Sequence, residues 1–96
     1  MRVLEARFYP QNKAEEDFIV VAHVVWEKDG SGDSPTVQPA ASLLEEADAP
    51  ATMLAKLHFL VVSAAPETFA RLKALKSQFW SFVEVAPPMT PAASSH

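Results

Sequence analysis

The sequence predicts an α+β fold, a mostly antiparallel four-stranded sheet with two helices packed on one face in the order β-β-α-β-α-β. Three observations predict it. Residues Arg2 to Tyr9 alternate apolar and polar, Phe18 to Trp26 are apolar at nearly every position, and Lys56 to Val85 reads as strand, helix, strand.

Along the first strand Leu4, Ala6 and Phe8 share one face and Glu5 and Arg7 the other, the period-two pattern of a strand covered on one side. Pro10 ends it, because proline cannot donate to a ladder. The polar connector Gln11 to Asp17 is expected to be a solvated hairpin loop. In the second strand Phe18, Val20, Ala22, Val24 and Trp26 make one apolar face, while Ile19, Val21 and Val25 make the other, broken only by His23. A strand apolar on both faces belongs in the middle of a sheet.

Glu27 to Pro39 holds both glycines, Gly30 and Gly32, and is expected to be a turn and a mobile loop at about 28–41. Thr36, Val37 and Gln38 offer a short edge strand that Pro35 and Pro39 restrict. Ser42 to Asp48 suits a short helix with a Ser42/Glu45 capping box, interrupted at Pro50. Leu57 to Ser63 is rich in β-branched and aromatic residues and is expected to be the third strand. Pro66 then opens a helix to Gln78, with Phe69, Leu72, Leu75 and Phe79 as its apolar stripe and Lys73 and Lys76 near its negative end. Phe79 to Val85 is expected to be the last strand.

The 96 residues allow one hydrophobic core, expected over residues 1–86, with 87–96 a disordered tail rich in Pro, Ala and Ser. The chain has no cysteine, which excludes disulfides, thiolate metal sites and a Cys nucleophile. A net charge of −4 disfavours neutralising many phosphates, so a nucleic-acid partner is not expected. The apolar runs are short of a membrane span and the N-terminus lacks a secretory pattern, so a cytoplasmic protein without membrane association is expected.

No catalytic, metal or nucleotide motif is found, so no catalytic residue or cofactor is expected. His23 is the most informative polar residue, because a hairpin that pairs Phe8 with Val20, and so Ala6 with Ala22, sets Glu5 opposite His23. An imidazole beside a carboxylate is an acid–base pair, which makes His23 and Glu5 the candidate ligand-binding residues. His58 falls on the expected third strand, within reach of that pair, but no metal-ligand spacing accompanies it. Ser63, placed between strand and helix, lacks the flanking glycines of a nucleophile elbow or a phosphate loop.

A four-stranded sheet with apolar residues on both faces and helices on one must cover its second face. If the helices cover the side of Ser81 and Val83, Trp80 and Phe82 join Val21 and Val25 in an apolar patch on the open side. The leading expectation is a non-catalytic protein-interaction module, self-associating as a homodimer or docking another protein through that patch. A small enzyme or ligand-binding domain with a His23/Glu5 pocket, and a structural subunit of a larger assembly, are the alternatives.

Overall fold

In the computed structural model, which describes residues 1–11, 17–28, 34–40, 49–64 and 67–87, β1 (Arg2–Phe8) occupies the inside of the sheet. It pairs antiparallel with β2 (Ile19–Trp26) on one side and with β4 (Trp80–Val85) on the other. β3 (Thr36–Pro39) adds antiparallel to the outer side of β2, giving the strand order β3-β2-β1-β4. Two helices, α1 (Ala49–Ser63) and α2 (Thr68–Ala74), precede β4. The fold class is α+β with a four-stranded antiparallel sheet, and the described elements run β-β-β-α-α-β, not β-β-α-β-α-β.

The two orders differ because Leu57 to Ser63, expected to be a strand, is the second half of α1. A strand would put Leu57, Phe59 and Val61 on one face. Instead Leu57 and Val61 are buried and Phe59 is 72 % exposed, while Met53, Leu54, Leu60 and Ala64 pack against the same core. That is helical periodicity. The helix is favoured by what lies upstream: Pro50 falls in the first turn, where its missing N–H costs nothing, and Met53, Leu54, Ala55 and Lys56 are strong helix formers. Pro50 therefore starts a helix where the sequence predicted an interruption. The expected helix at Ser42 to Asp48 lies outside the described residues, as do Pro66, both glycines and residues 88–96 of the expected tail.

α2 is shorter than its apolar stripe suggests. Thr68, Phe69 and Leu72 are buried, but Leu75 is already extended at φ −63° and ψ 128°, its N–H donating to the Leu72 carbonyl at 3.1 Å. Phe69 meets Trp26 edge-on at 5.0 Å, and the Arg2 guanidinium lies 3.7 Å from the Phe69 ring centre. Arg2 and Lys73 both donate to Glu84, at 3.1 and 2.9 Å, so α2, β1 and β4 are tied at one corner. The cations hold the Glu84 carboxyl down to about 2.

The orientation of β4 is the reverse of the one that would expose its aromatics. Its register sets Trp80 beside Phe8, Phe82 beside Ala6 and Glu84 beside Leu4. Directly paired residues share a face, so Trp80 and Phe82 point at the helices and are 7 % and 4 % exposed. The physical reason is burial: the strand's two largest side chains remove more apolar area from water on the covered side than Ser81 and Val83 would. A bulge between Ala6 and Arg7 sets Phe8 opposite Ile19 and not opposite Val20 as expected, and the extra residue, Val21, is fully buried in the core.

Candidate functional site

The same registers define the face that the helices do not cover. Val3 is paired with Val25 and with Val85, Glu5 with His23 and with Val83, Arg7 with Ser81, and His23 with Gln38. All of these side chains therefore share the second face of the sheet. It has an apolar end, where Val25 and Val85 flank Val3, itself only 2 % exposed, and a polar lane through Glu5, Arg7 and His23. Val83 is 37 % exposed on this face, next to the lane.

At the apolar end a hollow of about 390 Å³ is lined by Met1, Val3, His23, Val25, Gln38 and Val85. His23 and Gln38 are its polar groups, and Glu5 does not line it. The Glu5 carboxylate is committed elsewhere, since one oxygen accepts from Arg7 Nε at 2.6 Å and the other lies 3.9 Å from His23 Nε2. The longer distance is beyond a hydrogen bond. Glu5 in turn raises the affinity of the Arg7 guanidinium for its proton, and that guanidinium stacks over Phe18 at 4.3 Å. The lane is thus built as an Arg–carboxylate pair with an imidazole alongside, an arrangement that fixes a surface and lacks a nucleophile.

Of the residues singled out in the sequence, the structure brings His23, Glu5 and Val25 to the open face and takes Trp80, Phe82 and Val21 into the core. His58 is exposed on α1, in the helix layer and not on the sheet, so it does not approach His23 across strands. Ser63 ends α1 and is also exposed. Among the described residues no group of three or more His, Asp or Glu side chains is placed to hold a metal ion. No described helix is long and apolar enough to cross a membrane.

Sequence reasoning missed Val3, Val83 and Val85 as the apolar part of this face. β1 carries a signal for its own covered face, since Leu4, Ala6 and Phe8 are a more apolar set than Val3, Glu5 and Arg7, but which face Trp80 and Phe82 join follows from their pairing with Phe8 and Ala6. A second hollow, of about 360 Å³, lies at the far end of β1 and β4 where the Tyr9 and Ser81 hydroxyls are 2.8 Å apart. Among the described residues its lining has no carboxylate, imidazole or cation. No protein-family model matches the chain, and neither a curated protein nor a solved structure gives a significant match.

Proposed function

We propose that the protein is a non-catalytic interaction module that self-associates through the open face of its sheet. The observation that carries the reading is the group Val25, Val83 and Val85, with Val83 37 % exposed, set around the buried Val3 on one face by the registers with both helices on the other. Its size sets the strength. Four strands about 4.8 Å apart and about six residues long at 3.3 Å per residue present roughly 400 Å². A stable dimer buries about 800 Å² on each partner, so this face supports a transient, micromolar contact. The Glu5–Arg7 lane gives such a contact a register, because a dyad can set the Arg7 of one copy against the Glu5 of the other.

The test is sedimentation velocity over a range of concentrations with wild type and Val83→Glu, a variant at a partly exposed site whose fold is checked by circular dichroism. Reversible association of the wild type that the variant abolishes is expected; a wild type that stays monomeric at about 1 mM overturns the proposal. A second reading rests on the hollow beside His23, whose about 390 Å³ is within the range of small-ligand sites. It predicts that the His23 ring resonances respond to a small molecule at a dilution where the protein is monomeric.

A further inference from the structure

On the opposite layer two hollows lie along α1, one against Trp80 of β4 and one against α2, and we infer that together they form a groove that receives an amphipathic, acidic helix of a partner protein. The site is independent of the sheet face. One hollow of about 410 Å³ is lined by Ala55, Lys56, Phe59, Leu60 and Trp80. Another of about 230 Å³ is lined by Leu60, Ser63, Ala64, Arg71, Leu72 and Leu75. They meet at Leu60, so the floor is apolar from Trp80 to Leu75.

Three features fix the chemistry of the occupant. First, the wall common to both hollows is α1, whose backbone groups are already bonded internally, so an occupant lying along it meets side chains and a helix, which satisfies its own backbone, suits that surface. Second, Lys56 and Arg71 stand at the two ends of the groove, both exposed and neither with a carboxylate partner among the described residues. Among the described residues no Asp or Glu lines either hollow, although the chain as a whole carries −4. These cations stand on a chain that is anionic as a whole, which favours an acidic ligand and disfavours the same cationic surface of a second copy. Third, Phe59 is 72 % exposed at the rim, an aromatic of the kind that anchors interfaces.

From Ala55 to Ala64 the α1 wall rises about 14 Å at 1.5 Å per residue, which accommodates about nine helical residues with apolar anchors at i, i+3 or i+4 and i+7. Two cations are too few for a nucleic-acid backbone or a stable hold on an anionic bilayer.

The probe is a fluorescein-labelled peptide of about 16 residues with leucines at that spacing and glutamates flanking them. It is titrated against the whole protein by anisotropy and by amide chemical-shift mapping. A Kd of about 10 to 100 µM is expected, with shifts at Leu60, Ala64 and Leu72. Phe59→Ala, at a position too exposed to threaten the fold, should weaken binding about fivefold, and Lys56→Glu with Arg71→Glu by about tenfold or more. Val83→Glu should leave it unchanged, which separates this site from the sheet face. The inference is overturned by equal binding of the same peptide with lysines for glutamates, by shifts that map to Val3 and Val25 instead, or by no saturable binding. Tighter binding to phosphatidylserine vesicles than to the peptide also overturns it, in favour of a membrane surface.

Discussion

Truncating Phe69 to alanine is expected to cost about 4 kcal/mol, the largest single loss that α2 can suffer. Phe69 is 4 % exposed, and removing a buried phenyl ring from a core costs about 3 to 5 kcal/mol. Its edge-on contact with Trp26 at 5.0 Å places the mutant near the middle of that range or above it. At about 0.05 to 0.15 kcal/mol per residue the whole domain holds roughly 5 to 14 kcal/mol, so the variant stays folded but loses a large share. For a domain of this size Tm should fall by about 15 °C or more. The assay is urea unfolding followed by tryptophan fluorescence, since Trp26 is fully buried against the deleted ring. Phe69→Leu keeps most of the volume and should cost only about 1 to 2 kcal/mol. A Phe69→Ala cost below about 1 kcal/mol at unchanged m-value would refute the docking of α2 on the sheet.

Further expectations concern the helix layer and the charged corner. Val62 is 74 % exposed on α1, so Val62→Ala should stabilise by about 0.5 kcal/mol through helix propensity, read as a shift in the urea midpoint; a clear loss would return this segment to a strand. The Glu84 carboxyl sits below its ordinary 4.5, at about 2, so its contribution is fully present above about 4.5 and disappears as pH falls toward 2. Thermal melts of wild type and Glu84→Gln should therefore differ at pH 6 and draw together through that window. Arg7→Met should cost about 1 to 2 kcal/mol in urea unfolding, because it leaves the half-buried Glu5 carboxylate without its 2.6 Å donor.

The sheet was legible where alternation and pairing agree. Apolar alternation in β1 and the double apolar face of β2 located both strands and set Glu5 opposite His23, as observed. The bulge was not legible, because a single inserted residue leaves no trace in a pattern that is apolar on both faces. α1 was misread for a related reason: Leu57 to Ser63 is a short apolar run that either structure accommodates, and β-branched content decides wrongly when a helix-forming stretch leads into it. The side of the sheet presented by Trp80 and Phe82 depends on their pairing with β1, more than seventy residues away. No local periodicity carries that information. The hollows along α1 are out of reach of the sequence for the same reason, since they exist only when Leu57 to Ser63 is helical.

β1 is flanked by a neighbour close to it in sequence, β2, and by one far from it, β4, with Arg2 and Glu84 separated by 82 positions. Closing so long a loop is an entropic cost met before the pairing repays it, which places refolding in the millisecond-to-second range typical of high contact order. During synthesis one edge of β1 stays open until residue 85 has emerged, with Leu4, Ala6 and Phe8 unsheltered. That nascent hairpin is the form in which the protein is most prone to aggregate, and the one a chaperone would meet.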